Sequence, residues 1–345
     1  MNMNKKVVIV TGATGFIGKY TIQLLLTKCF INYHDLTPTE EDSIKDNHIN
    51  YVQYDEILAI DMCSEEYIHQ CFHYHPLIIP MKLNLIHLNN KKSDGYNTLC
   101  ELLYNSNKTT SNVNNINVEY TIIHIAGLVD TRETNKICNL LNNINILATK
   151  SFIELASLSK YVSKFIQLSS SSAVTTKYIG DIDGDSDTTS SSNMDNKKPT
   201  NATNSTSSLS NLLFYYKALY KWNILNKSLL TTDSESMMRS TYGKSKRSGE
   251  LAVLEYAHAE QDSNSKSKSN MVVCVLRPNV VWGRGDTMAT EMLLNWPSWC
   301  PYVLIGNATD DIVPIRADNV ARYILLADTA LTQHPTEMNG AIFNI

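Results

Sequence analysis

The stretch Val7-Val8-Ile9-Val10-Thr11-Gly12-Ala13-Thr14-Gly15-Phe16-Ile17-Gly18 constrains the fold more than any other part of the chain. Four apolar β-branched residues in a row read as a strand buried on both faces. Three glycines follow at intervals of three, and a helix-like apolar run, Tyr20 to Leu26, begins at once. A strand, a glycine turn and a helix amino terminus together make an anion site. The missing side chains let backbone N–H groups approach a phosphate, and the helix dipole favours negative charge. The backbone of Gly12, Thr14, Gly15, Phe16, Ile17 and Gly18 is therefore the candidate cradle for the pyrophosphate of a dinucleotide. The spacing is G-x-x-G-x-x-G rather than the commoner G-x-G-x-x-G.

Asp35 ends the next apolar stretch, Phe30-Ile31-Asn32-Tyr33-His34-Asp35, seventeen residues after Gly18. An acid roughly 20 residues after the glycines commonly bonds the adenosine ribose hydroxyls. A carboxylate there repels a 2′-phosphate, which favours NAD over NADP. The competing reading of Asp35 is a surface turn residue beside Thr37-Pro38.

A chain of 345 residues is long enough for one large core or for a dinucleotide domain with a smaller lobe. Its net charge of −4, without a large basic block, argues against nucleic acid as a partner. Seven cysteines, odd in number and without a C-x-x-C pair, argue against a disulfide framework or a zinc site, and no metal is expected. No signal peptide and no apolar run of ~18 residues is visible, so the expected location is the cytoplasm.

Strand-like runs alternate with helix-like runs. Val7–Val10, Tyr120–Ile125, Phe165–Leu168 and Met271–Leu276 read as strands; Asn145–Leu158 and Lys244–Ala259 read as helices. The expected fold is α/β, a doubly wound parallel sheet. Two regions break the alternation, 73–118 and 180–238. The third strand has three competing positions: Ile49–Tyr54, Ile57–Ile60 and Leu83–Leu88. The Ser/Thr/Asn/Asp tract 180–211 holds too few apolar residues to offset its chain entropy. Leu212–Leu230 interleaves aromatic residues with lysines, which suits a helix packed on the protein or one lying on a membrane surface.

Ser240-Thr241-Tyr242-Gly243-Lys244-Ser245-Lys246 carries the second strong signal. Tyr242 and Lys246 are i and i+4, so on a helix they share a face. A phenol titrates near 10, and a nearby ammonium lowers that value, making a general acid/base for a carbinol proton. Alone, the spacing Y-x-x-x-K arises by chance in many helices. A third element, Lys164-Phe-Ile-Gln-Leu-Ser169-Ser170-Ser171-Ser172, is a strand ending in serines that could hold a substrate oxygen. Counting from Phe165-Ile166 selects Ser170; counting back from Val174 selects Ser171. Ser170 is favoured.

On these three elements the chain resembles the extended short-chain dehydrogenase/reductases, and within them the 3β-hydroxysteroid dehydrogenase/isomerase family, including the sterol-4α-carboxylate 3-dehydrogenases. Ile122-Ile-His-Ile-Ala126-Gly127 is similar to the family's fourth strand, so the resemblance places Ala126 and Gly127 beside the cofactor. Asn145-Ile-Leu-Ala148-Thr149 is similar to its N-V-x-G-T helix. Leu276-Arg277-Pro278-Asn279-Val280-Val281-Trp282-Gly283-Arg284-Gly285-Asp286 is similar to its L-R-P-x-x-x-Y-G-x-G-D segment, which puts Pro278 against the nicotinamide. An acid after the third strand contacts the adenine in this superfamily, making Asp55 and Asp61 candidates.

The resemblance implies a Rossmann fold, with residues 1–280 as the NAD-binding domain and 281–345 as part of a smaller substrate lobe. The family continues past the position of Ile345, so an incomplete chain is expected. The implied activity is oxidation of a 3β-hydroxyl on a steroid or sterol. Tyr242 acts as base, Lys246 tunes it and holds the nicotinamide ribose, and Ser170 or Ser171 positions the oxygen. The implied substrate is a small hydrophobic sterol. Association with the endoplasmic reticulum surface and a homodimer are open options. Nucleotide-sugar epimerases or dehydratases and flavanone-type reductases share the glycine turn and the Tyr/Lys pair. They form the alternative, together with a non-catalytic NAD-binding protein.

Overall fold

The computed structural model describes residues 4–29, 50–104, 117–174, 240–259, 270–287 and 314–345. Strand β1 (Asn4–Thr11) lies in the interior of a seven-stranded sheet in which every pairing is parallel. Its neighbours are β2 (Glu56–Asp61) and β4 (Asn117–His124). Outward from β2 comes β3 (Ile78–Lys82). Outward from β4 come β5 (Val162–Leu168), β6 (Val272–Arg277) and β9 (Ala341–Asn344). Val8, Ile9 and Val10 are wholly buried because helices cover both faces.

Helices α1 (Phe16–Lys28) and α7 (Ala317–Gln333) cover one face, where Ile22, Leu25, Ile324 and Leu325 meet Val8 and Val10. The other face carries α3 (Asp94–Tyr104), α5 (Thr149–Leu158) and α6 (Thr241–Ala259), whose Leu99, Phe152 and Val253 meet Ile9, Ile122 and Phe165. Short helix α2 (Glu65–Cys71) joins β2 to β3. Helix α4 (Asn135–Leu141) runs through a π-helical turn, Asn142–Ala148, into α5. The strand order reverses between β1 and β4, so the crevice at their carboxyl ends is the place where open parallel sheets bind ligands.

The doubly wound Rossmann architecture thus matches the sequence expectation, with three differences. The third strand is β3, Ile78–Lys82, at none of the three candidate positions. Ile57–Ile60 lies in β2, and Leu85–Asn89 is a 3₁₀ turn. Pro80 sits in this strand because β3 pairs only with β2 among the described strands, so a residue without an N–H is tolerated there. Second, the described part of the interval 73–118 contains β3, the 3₁₀ turn, α3 and the start of β4. Third, residues 281–345 are expected as a substrate lobe. Within them α7 packs on α1, and β9 pairs with β6 as the seventh strand. Outside the main sheet, β7 (Val281–Trp282) pairs with β8 (Ile315–Arg316), and short helix α8 (Pro335–Met338) precedes β9. Asp35, the polar tract 180–211 and Leu212–Leu230 lie outside the described residues. Among the described residues no helix is long and apolar enough to cross a membrane.

A buried ionic cluster ties the α7 face together. Lys164 of β5 donates to Asp328 of α7 at 2.5 Å and to the Thr332 hydroxyl at 2.7 Å. The Tyr54 hydroxyl donates to the other Asp328 oxygen at 2.7 Å. Burial pushes the Tyr54 phenol well above its usual range, and Asp328 adds to that rise.

Candidate active site

The glycine turn closes as its spacing requires. Gly12 has φ +68°, and a Cβ there would sit 2.9 Å from the Ala126 Cα. A Cβ on Gly18 would fall 2.1 Å from the Gly12 carbonyl oxygen, so only glycine lets α1 approach β1 this closely. Gly15 is the helix N-cap and offers no side chain to satisfy the first-turn N–H groups. The turn is therefore shaped to accept an anion against α1.

Asp61 ends β2 beside this turn. One carboxylate oxygen accepts from the Thr14 N–H at 2.9 Å and the Thr14 hydroxyl at 2.8 Å; the other accepts from the Met62 N–H at 2.7 Å. Asp61 thus occupies the end of the strand next to β1, the place the spacing argument assigned to Asp35, and not the end of the third strand. Counting from Gly18 points elsewhere because residues 29–55 lie between α1 and β2.

The residues expected from the sequence to handle the proton come from α6 and the turn after β5. Tyr242 and Lys246 lie in the first turns of α6, both buried. The Lys246 ammonium donates to the Leu168 carbonyl at 2.9 Å, and a Cβ on Gly127 would stand 3.2 Å from it. Burial pushes the Lys246 pKa down to about 8, while the Glu250 carboxylate pulls it up. Burial raises the Tyr242 phenol, and a hydrogen bond with Ser170 lowers it. Burial and then Lys246 drive His124 down to about 3, so it is neutral, bonded to the Thr11 hydroxyl at 2.8 Å and the Thr149 hydroxyl at 3.1 Å.

The four serines now separate. The Ser170 side chain faces Tyr242 and also accepts from the Ser172 N–H at 3.2 Å. The Ser171 hydroxyl donates to the Asn279 side-chain oxygen at 3.3 Å instead, and its N–H donates to the Pro278 carbonyl at 2.9 Å. Pro278 therefore lies against the serine turn. Ser169 is buried, with no hydrogen-bond partner for its hydroxyl among the described residues.

Gly243 is the close-approach point between the two halves of this site. A Cβ there would lie 2.4 Å from the Ser172 carbonyl oxygen, which is backbone and cannot rotate away. Gly243→Ala is expected to push α6 from the serine turn and lower kcat by about 10²-fold, the usual effect of a displacement near 1 Å. Steady-state rates of the folded variant check this, and full activity would contradict the assigned contact.

Two features of the site were not legible as such. Asn145 sits in the π-helical turn, a form common at functional sites. Its side-chain oxygen accepts from the Leu128 N–H at 2.8 Å, and its amide donates to the Leu128 carbonyl at 2.9 Å and the Ser245 hydroxyl at 3.0 Å. An asparagine on an otherwise apolar helical face was the available signal. The other feature is Glu250, wholly buried and bonded bidentately by Arg277 at 2.7 and 2.6 Å and by Arg247 at 3.1 Å. This triad joins α6 to the end of β6.

A parallel sheet with a glycine cradle at its switch point and a tyrosine–lysine helix beside it defines a dinucleotide-binding α/β protein equipped for proton transfer. The chain belongs to the extended short-chain dehydrogenase/reductases: residues 8–203 match the NAD dependent epimerase/dehydratase family and residues 106–321 the family described as Male sterility protein. No curated protein matches the sequence. Among solved structures, the UDP-glucuronic acid 4-epimerase of Bacillus cereus in complex with NAD is 17% identical, with TM-score 0.52, covering 98% of this chain and 76% of that one. The dTDP-glucose 4,6-dehydratase DesIV of Streptomyces venezuelae with NAD bound is 14% identical, with TM-score 0.54, covering 98% and 75%. Yeast methylglyoxal/isovaleraldehyde reductase with NADPH is 16% identical, with TM-score 0.53, covering 98% and 77%. At these identities the likeness establishes the fold.

Proposed function

We infer that the protein is an NAD-dependent oxidoreductase that oxidises a secondary alcohol, with the 3β-hydroxyl of a sterol or steroid as the preferred substrate. The observation that carries the chemistry is Tyr242 and Lys246, both buried one turn apart on α6, beside the serine turn that ends β5. The cofactor fits the chain: Gly12 and Gly18 let α1 close tightly onto the end of β1, Gly15 leaves the α1 N-cap without a side-chain cap, and solved relatives of this fold carry NAD. Asp61 would take the ribose hydroxyls, and its charge disfavours a 2′-phosphate. When bound, NAD supplies the acceptor for the carbinol hydrogen. The Ser170 hydroxyl holds the substrate oxygen, and Tyr242 removes its proton. Lys246, mostly cationic at pH 7 with a pKa of about 8, would hold the nicotinamide ribose.

Apolar side chains favour a hydrophobic substrate. Val129, Val280 and Trp282 are exposed, and all three follow strands at the carboxyl edge of the sheet, on either side of the serine turn. The second reading, conversion of a nucleotide sugar, draws on the UDP- and dTDP-sugar enzymes among the solved structures. The two separate on purified protein given NAD with a 3β-hydroxysteroid, a 4α-carboxysterol or UDP-glucose. NADH formation with a sterol is the expected result. Sugar conversion without net NADH would move the assignment to the second reading. Turnover of neither class would overturn the enzymatic assignment.

A further inference from the structure

Residues 175–239 separate the serine turn from the tyrosine helix in the sequence. Among the described residues, the first turn of α6 is held by contacts at its own start and by contacts from elsewhere in the chain.

Ser240 and Glu133 bond its backbone, with the Cys138 sulfur also 3.9 Å from the Thr241 hydroxyl. Ser240 works locally, its hydroxyl accepting from the Gly243 N–H at 3.0 Å and its carbonyl from the Lys244 N–H at 3.1 Å. Glu133 works from 108 positions earlier in the chain. One carboxylate oxygen accepts from the Thr241 N–H at 2.9 Å and the other accepts from the Thr241 hydroxyl. These bonds hold the Glu133 carboxyl below the usual carboxylate range. A carboxylate at the amino end of a 19-residue helix is also favoured by the helix dipole.

Glu133 is itself tied down. The loop after β4 is clamped at Leu128, whose N–H and carbonyl both bond Asn145, and at Thr134, whose hydroxyl accepts from the Ile137 N–H at 3.4 Å as the N-cap of α4. The carboxylate thus projects from a short span held at both ends. Thr241, which it grips, is the residue directly before Tyr242.

We propose that Glu133 is a positioning residue, capping the tyrosine helix from the loop after β4 and so setting the Tyr242 hydroxyl against Ser170. This rests on the proposed function, in which Tyr242 moves the substrate proton.

The test uses the full chain with Glu133→Ala and Glu133→Gln. Glu133→Ala is expected to lower kcat by about 10- to 100-fold, while KM and the Kd for NAD stay within about twofold, as for a misplaced catalytic group. Glu133→Gln keeps an acceptor for the Thr241 N–H and is expected to stay within about threefold of wild type. A Glu133→Ala enzyme with wild-type kcat and only a lower melting temperature would overturn the proposal. The contact is also read without turnover, by amide exchange in residues 240–245, which should quicken about tenfold in Glu133→Ala. Unchanged exchange would overturn the contact whatever substrate the wild type accepts. Quickened exchange beside a wild type inactive on every alcohol would instead refute the proposed function alone.

Discussion

Tyr242→Phe is expected to lower alcohol oxidation by about 10² to 10⁴-fold, the range for removing a positioned general acid/base. The ring is buried and the substitution removes one oxygen, so the packing of this side chain survives. The NAD affinity should stay near wild type because the glycine turn and Asp61 lie on β1 and β2, away from α6. Rates by NADH absorbance and affinity by calorimetry measure the two separately. A variant with full turnover would remove Tyr242 from the reaction. Loss of NAD binding with loss of turnover would show that the residue serves the cofactor rather than the proton.

The largest expected effect on stability comes from Asp328→Ala. It leaves the Lys164 ammonium buried with the Thr332 hydroxyl as its remaining hydrogen-bond acceptor among the described residues and takes the acceptor from the Tyr54 hydroxyl. Breaking a buried ion pair from one side costs about 3–5 kcal/mol. The double variant Lys164→Met with Asp328→Leu removes both charges and should regain most of that loss. Urea unfolding of the single and double variants gives the comparison. A single variant as stable as wild type would show that the buried pair contributes nothing net. Catalytic rates of the folded fraction should be unaffected, since Lys164 lies in the first half of β5 and the reacting groups follow its end.

How much of this could be read from the chain depends on whether the determining interactions are local. The glycine turn is local: Gly12 and Gly18 are required by backbone atoms within a few residues or on the adjoining strand, and the spacing alone reveals it. The Tyr242–Lys246 pair is local too, because helical geometry relates i to i+4. The acid beside the turn is not. Asp61 reaches Thr14 through sheet pairing, and the segment between α1 and β2 displaced it from the distance at which counting would find it. Ser170 and Ser171 differ in sequence by nothing that carries direction. They are told apart by which one faces α6 and which one faces Asn279. Edge strand β3 holds Pro80, which is tolerated only where a neighbouring strand is missing, and that is a property of the whole sheet.

By itself, then, the sequence determined a parallel α/β fold, a phosphate-binding turn and a tyrosine–lysine pair, since each is written in backbone sterics or helical periodicity over a few residues. Only the tertiary structure decided which acid guards the turn, which serine meets the tyrosine, and that residues 317–345 complete the sheet. Those outcomes depend on the pairing of segments far apart in the chain, which no local pattern encodes.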